Sequence, residues 1–98
     1  MGSLAKDPGF AGHIAGVTKA LGHPTRLRIV ALLCEGDMHV GSLAEALGSP
    51  QAIVSQQLRI LRMSGLVSVA RVDGKAVYGL AEPRLRQLLR CLEKCSIS

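Results

Sequence analysis

One segment of the chain, residues 49–67, combines an apolar stripe with a row of polar and cationic side chains. Val54, Leu58 and Leu61 recur at helical spacing, so we expect them to face a hydrophobic core. The remaining face offers donors, acceptors and cations, which is the chemistry that DNA base edges and phosphates require. A solvated amphipathic helix would show the same pattern, so the neighbouring elements must decide between the two interpretations. The candidate DNA contacts of this helix are Gln51, Ser55, Gln56, Gln57, Arg59 and Arg62.

The three cysteines are a second set of residues that could do chemistry. Cys91 and Cys95 are four residues apart, which places both on one face of a helix, and Cys34 ends a different predicted helix. Three thiolates could form a trigonal site for a soft ion such as trivalent arsenic or antimony. Cysteine is also among the most buried residue types, so a purely structural role stays open for each of them.

Composition and length limit the kinds of protein that this sequence can form. Its 98 residues suit a single domain, 1–98, in which residues 1–8 are expected to be flexible. Hydrophobic residues make up 48% and aromatic residues 2%, so the core must be aliphatic. A net charge of +5 favours a polyanionic partner, with nucleic acid ahead of a membrane. An odd number of cysteines, no visible secretory signal and no apolar run long enough to span a bilayer favour the reducing cytoplasm.

Three predicted helices precede the segment 49–67. They are expected at 10–21, at 25–35 with Thr25 as the N-cap, and at 42–47. The second is apolar nearly all round and should therefore be buried. A short third helix followed by a longer helix with a polar face is typical of a helix-turn-helix.

Turn residues mark both ends of the longer helix. In the tight turn before it, Ser49 can act as the N-cap and Pro50 can occupy the first helical position. Gly65 is placed to end the helix. Strands are then expected at 66–72 and 76–80, because Asp-Gly at 73–74 is a strong hairpin signal. The cations beside this turn, which could reach phosphates or a minor groove, are Arg71 and Lys75.

A last helix is predicted to open at Pro83. Its leucines recur at helical spacing, and we expect them to join two copies of the chain, with help from the first helix. The leucines assigned to this interface are Leu85, Leu88, Leu89 and Leu92.

The element order α-α-α-α-β-β-α, together with several short motifs, resembles the ArsR/SmtB family of winged-helix repressors. The match covers about residues 16–92 and is specific as a set. The resemblance implies a mainly α winged helix-turn-helix fold with a β-hairpin wing, a cytoplasmic homodimer, and release of operator DNA when an inducer binds. The matching residues are 21–29 (LGHPTRLRI), 43–47 (LAEAL), 54–58 (VSQQL), Leu61-Arg62, 65–67 (GLV), 73–75 (DGK), Tyr78 and Leu80.

The sequence departs from the metal sites of this family. His39 and Gly41 stand where the family's best-known site has two cysteines, and the last helix contains no histidine. His13, His23 and His39 are scattered, and each is expected to be a solvated or capping residue. Some family members instead link one cysteine in the second helix to one near the end of the last, and sense reactive sulfur or oxidants. The resemblance therefore implies that the inducer-sensing thiols are Cys34, Cys91 and Cys95, although their positions are offset by a few residues.

These features together predict a repressor that binds an inverted repeat in double-stranded DNA and does not bind membranes. Reactive sulfur, an oxidant or a thiophilic ion such as As(III) would act as inducer at the thiols, and no cofactor is obligatory. An enzyme is not expected, because the chain has no Gly-rich phosphate loop and no Cys-x-x-Cys in a thioredoxin-like setting. The alternative is a winged-helix module that binds DNA or protein without an inducer and whose cysteines are structural.

Overall fold

A computed structural model describes residues 3–95 as five α-helices and one three-stranded antiparallel sheet. The order of elements confirms the predicted winged helix-turn-helix and adds one strand. The elements are α1 (Pro8–Leu21), α2 (Pro24–Glu35), β1 (Met38–His39), α3 (Val40–Leu47), α4 (Gln51–Met63), β2 (Val67–Val72), β3 (Lys75–Leu80) and α5 (Leu85–Lys94). None of the helices within residues 3–95 is long and apolar enough to cross a membrane.

The core is aliphatic and lies where α2, α3 and α4 meet. The stripe Val54, Leu58 and Leu61 of α4 is fully buried there, as its spacing predicted. α2 is not buried all round, because Leu27 on its outer side is 36% exposed. A helix that packs on one face only can present its other face to a partner or a ligand. The largest fully buried side chains are Ile29, Val30, Leu33, Leu43, Val54, Leu58 and Leu61.

The first two helices begin at different residues from those predicted. Asp7 Oδ1 accepts a hydrogen bond from the Phe10 N–H at 3.1 Å, so α1 starts at Pro8 and not at residue 10. The predicted flexible stretch 1–8 thus includes this cap, while residues 1–2 lie outside the described range. His23 caps α2, since its Nδ1 accepts from the Thr25 N–H at 3.2 Å. The prediction that Thr25 is the N-cap was therefore wrong.

Backbone hydrogen bonds fix the C-terminal end of α4, the candidate recognition helix. Gly65 adopts φ +76°, which an L side chain rarely adopts, and its N–H donates to Arg62 O at 3.0 Å. The Leu66 N–H donates to Leu61 O at 3.0 Å, which completes a Schellman motif. At the other end Pro50 occupies the cap position without a side-chain cap, so the predictions that Ser49 caps α4 and that Pro50 is its first helical residue were both wrong. The Schellman motif ends α4 four residues before β2 begins at Val67.

The hairpin prediction is confirmed, and the sheet is larger than predicted. Asp73 and Gly74 both have positive φ, +51° and +78°, as a two-residue type I′ turn requires. β1, which was not predicted, pairs antiparallel with β3 through Met38 opposite Tyr78 and His39 opposite Val77. The sheet order β1-β3-β2 anchors the hairpin to the start of α3.

The leucines of α5 divide between two surfaces. Leu85 and Leu89 are 3% and 5% exposed and belong to the core of the chain itself. Leu88 and Leu92 are 41% and 50% exposed. The prediction that all four form an interface between two copies was therefore wrong for the first pair, because α5 needs that pair to pack on its own domain. The helix also begins at Leu85, with Pro83 in the turn before it.

Candidate nucleic-acid interface and thiol sites

The helices α3 and α4 form a helix-turn-helix, and β2 and β3 of the hairpin lie beside its polar face. Gly48 in the turn adopts φ +63°, which lets the chain reverse within three residues before α4. Leu43 and Leu47 of α3 join the core that the apolar stripe of α4 enters. The polar side of α4 is thereby directed outward, and α4 carries no acidic residue.

Most of the predicted contact residues on α4 are exposed, but one is not. Gln57 is half-buried, and its Oε1 has no solvent access and no hydrogen-bond partner. An amide in that setting faces the protein interior, so Gln57 is not one of the α4 side chains that point outward. The predicted contact residues that the structure leaves exposed on α4 are Gln51, Ser55, Gln56, Arg59 and Arg62.

The outward face of α4 also carries apolar residues that were not among the predicted contacts. Ala52 and Met63 lie on the stripe of Gln56 and Arg59, at the spacing i, i+4, i+7 and i+11, directly opposite the buried stripe. Met63 is 79% exposed, and Ile53 next to this stripe is 45% exposed. Apolar side chains on a recognition helix can contact the thymine methyl group. The periodicity that identified the core could have identified these residues, since they occupy the face farthest from it.

The wing extends the polar face of α4 in two places. Lys75 lines a shallow groove with Gln51 and with Ser42 at the start of α3. Arg59 and Arg62 line a second groove against β2. The two grooves thus combine cations and an amide from α4 and β3, which is the chemistry that a surface in contact with phosphates requires.

The two wing cations leave the hairpin in different directions. Arg71 is paired with Ala76, and Lys75 is paired with Val72, so the two side chains start from opposite faces of the ribbon. The guanidinium of Arg71 donates from Nη1 to Gly74 O at 3.0 Å and so folds back onto the turn. Lys75 lines the groove that contains Gln51 of α4, whereas Arg71 does not line that groove.

The three cysteines occupy two different environments. Cys34 is half-buried at the end of α2, whereas Cys91 and Cys95 are exposed. Burial raises the pKa of the Cys34 thiol; Arg86 and Arg90 oppose this shift, while Glu93 and Glu35 reinforce it. A thiol with a raised pKa is a weaker nucleophile at neutral pH, because less of it is thiolate.

Cys91 and Cys95 lie one helical turn apart on the outer side of α5. The Cys95 N–H donates to Cys91 O at 3.1 Å, so Cys95 is the C-cap of the helix. Together with Leu88 and Leu92 they form one exposed stripe, which we call the α5 stripe. Within residues 3–95 no three His, Cys, Asp or Glu side chains are close enough to hold a metal ion. The possible trigonal three-thiolate site is therefore not assembled within one chain.

His23 is the capping histidine that was expected, and the exposed His39 has in addition a contact with β3 that was not predicted. His23 caps α2, and Nδ1 of the exposed His39 lies 3.2 Å from Ala76 O. His13 is exposed on α1.

A short helix, a tight turn, a longer helix with a polar face and an adjoining β-hairpin define a winged helix-turn-helix protein. In this class the second helix enters the major groove of double-stranded DNA. Residues 23–69 match the model of a family described as bacterial regulatory protein, arsR family. The chain is also 40% identical, over 82 residues, to the biofilm growth-associated repressor of Xylella fastidiosa, an alignment that covers 84% of this chain and 72% of that protein.

Solved structures agree with this assignment. The crystal structure of the transcriptional repressor BigR from Xylella fastidiosa superposes with a TM-score of 0.83 and 38% identity over 90% of each chain. The homodimeric winged helix-turn-helix DNA-binding domain Mb0332 from Mycobacterium bovis superposes with a TM-score of 0.80 and 26% identity, covering 96% of this chain and 85% of that one. The chain belongs to the ArsR family and is a DNA-binding transcriptional repressor of that family, not an enzyme.

Proposed function

We propose that this repressor binds an inverted repeat as a homodimer and is released when an inducer reacts with its thiols. The proposed mode of DNA binding rests on the outward face of α4, which is flanked by two grooves that contain Lys75 and Arg62. A two-fold dimer would place two copies of α4 in successive major grooves, about 34–36 Å apart. Affinity for either half-site would then depend on the spacing between the two helices.

The exposed side of α5, together with exposed apolar side chains of α1, is the proposed dimer interface. Leu88 and Leu92 would otherwise leave a row of large apolar side chains in water, and Phe10 of α1 is 40% exposed. The Mycobacterium bovis domain is homodimeric, which supports a homodimer here. Burial of this stripe between two copies would account for the amphipathic character of α5.

Cys91 and Cys95 are the proposed primary sensing thiols, and Cys34 has the smaller role. Both lie in the α5 stripe, so a modification there would alter the dimer interface directly. Cys34 is half-buried and has a raised pKa, which slows its reaction at neutral pH. Reactive sulfur or an oxidant is favoured as inducer over a trigonally bound As(III), because one chain does not bring three thiolates together within residues 3–95. Typical allosteric coupling would lower operator affinity about 5–150-fold.

The test is operator binding by fluorescence anisotropy, with an operator first obtained by selection from random duplexes. Persulfide, peroxide and arsenite are added separately, and the mass of the intact protein shows whether sulfur, a disulfide or an ion has been acquired. We expect Cys91→Ser/Cys95→Ser to bind the operator with unchanged affinity and to lose most of the response. Cys34→Ser is the matched control and should retain the response.

Two outcomes would contradict the proposed function at different points. A triple Cys→Ser protein that is still released by all three agents would exclude the thiols as sensors. A protein that binds DNA without preference for any selected sequence, and ignores all three agents, would favour a winged-helix module without an inducer.

A further inference from the structure

A cavity of about 700 Å³ lies between α2, α3 and α5, on the side of α5 away from the α5 stripe. Its base is apolar and includes Leu32, Leu47 and Leu89. Its walls carry one thiol and five charged side chains, four of which belong to exposed residues. These wall residues are Arg28, Cys34, Glu35, Arg86, Arg90 and Glu93.

The charges of this cavity do not neutralise one another by direct contact. Within residues 3–95 the ion pair closer than 4.0 Å is Arg84 with Glu82, and it lies outside the cavity. Arg86 is held in the wall because its Nε donates to Cys34 O at 3.1 Å. Three arginines against two glutamates leave one positive charge in excess. The cavity therefore offers both signs of charge to a ligand that carries both.

We propose that this cavity is a binding site for a small amino dicarboxylate, such as an acidic amino acid or an acidic dipeptide. Such a ligand has two carboxylates and one ammonium, so its net charge of −1 complements the excess positive charge of the walls. Arg86 and Arg90 on α5 would bind carboxylates, for which a guanidinium provides parallel N–H donors. Glu35 and Glu93 would bind the ammonium. The volume is within the range of small-molecule sites, about 300–1,000 Å³.

Binding in this cavity is non-covalent. Burial keeps Cys34 protonated at neutral pH, so its thiol contributes a neutral, polarisable wall and not a nucleophile. The site is separate from Cys91 and Cys95 and does not depend on the inducer chemistry proposed for them. Its test can accordingly be carried out without DNA and without a thiol reagent.

The experiment is a ¹H–¹⁵N NMR titration of the full chain with L-glutamate and with γ-glutamylglycine. We expect saturable shifts at the amides of Cys34, Glu35, Arg86 and Arg90, with a Kd of about 1 mM or tighter. Glutarate lacks the ammonium and L-lysine has the opposite net charge, so both should bind at least about tenfold more weakly, which corresponds to about 1.4 kcal/mol. The shifts place the ligand independently of any effect on function.

Matched variants test the charged walls. Arg90→Gln and Glu93→Gln each remove one exposed wall charge and should each weaken binding about tenfold or more. Lys19→Gln removes an exposed helical cation that does not line the cavity, and should leave the affinity unchanged. Failure of both probes to produce saturable shifts would overturn the proposed site. Equal losses in Arg90→Gln and Lys19→Gln, or stronger binding of glutarate than of L-glutamate, would also overturn it.

Discussion

The side chain of Arg86 on α5 donates a hydrogen bond from Nε to the backbone carbonyl oxygen of Cys34 at the end of α2, at 3.1 Å. The two residues are 52 positions apart in the chain, so this contact fastens the final helix to the centre of the domain. The last turn of α2 would otherwise leave this carbonyl without an intrahelical partner.

Loss of this contact should loosen α5. We expect Arg86→Ala to lower the free energy of unfolding by about 1–2 kcal/mol, because a half-buried charged donor is lost. For a domain of this size each kcal/mol corresponds to about 4–8 °C in Tm, measured by a thermal melt. Arg84→Ala is the control, since the Arg84 side chain bonds to the nearby Glu82 at the surface and its loss should change Tm much less. Equal shifts in both variants would contradict a specific role for Arg86.

Two glycine-to-alanine substitutions should change stability in opposite directions. Gly74 has φ +78° in the hairpin turn, so Gly74→Ala should destabilise the protein by about 1 kcal/mol. Gly12 lies within α1 with no atom near the position of a Cβ, so Gly12→Ala should stabilise it by about 0.5–1 kcal/mol. Urea unfolding of the two variants beside the wild type measures both effects. Destabilisation of α1 by the alanine would show that Gly12 has a role other than conformational freedom.

Neighbouring leucines of α5 should have different effects. Leu89 is buried, so Leu89→Ala should lower the free energy of unfolding by about 2–5 kcal/mol through the lost contacts and the cavity it leaves. Leu92 is half-exposed, so Leu92→Asp should leave the fold intact and shift the protein from dimer towards monomer. Light scattering during size-exclusion chromatography and far-UV circular dichroism distinguish these results. A Leu92→Asp protein that remains dimeric would place the interface elsewhere.

The three cysteines should react with iodoacetamide at different rates. Cys91 and Cys95 are exposed in the single chain, so in the Leu92→Asp monomer they should be alkylated first at pH 7, while half-buried Cys34 lags behind them. The pKa of Cys34 is raised above 9.0, so its neutral form dominates below that pH and its alkylation should accelerate only as pH rises past it. Because the folded state favours the neutral thiol, this group contributes to the free energy of unfolding below pH 9.0. That contribution is lost as the pH rises through the pKa of the thiol in the folded state. Peptide mass mapping at several pH values gives the three rates. Fast labelling of Cys34 at pH 7 would contradict this assignment.

Residues of α4 and of the wing should affect DNA binding in different ways. Gln56→Ala should reduce discrimination between operator and mismatched sequences by about 1–3 kcal/mol, because an amide on the outermost stripe is placed to contact base edges. Lys75→Ala should weaken binding to all sequences together and reduce the salt dependence by about one charge. The measurement is anisotropy against operator and random duplex over a range of salt concentrations. A change in sequence preference from Lys75→Ala, with none from Gln56→Ala, would mean that the two surfaces have been exchanged.

The local sequence was sufficient to predict the buried side of α4 and the β-hairpin. The spacing of Val54, Leu58 and Leu61 was sufficient to identify the buried side of α4, because helical periodicity depends only on residues within two turns of one another. Asp73 and Gly74 specified the hairpin in the same way, since both residues tolerate positive φ. The exposed polar side of α4 then followed from its buried side.

Tertiary structure decided whatever depends on a distant partner. The two residues of β1 carry no periodic signal, and their pairing with β3 depends on Tyr78 and Val77 some forty positions away. Leu85, Leu88, Leu89 and Leu92 form one apolar pattern in the sequence, and only the packing of α5 against α2 separates the core pair from the exposed pair. In the sequence nothing distinguishes Arg86 and Arg90 from other surface arginines, and only the fold places Cys34 beside them. The physical reason is that burial and pKa are set by every element that surrounds a side chain, whereas the sequence lists only its neighbours along the chain.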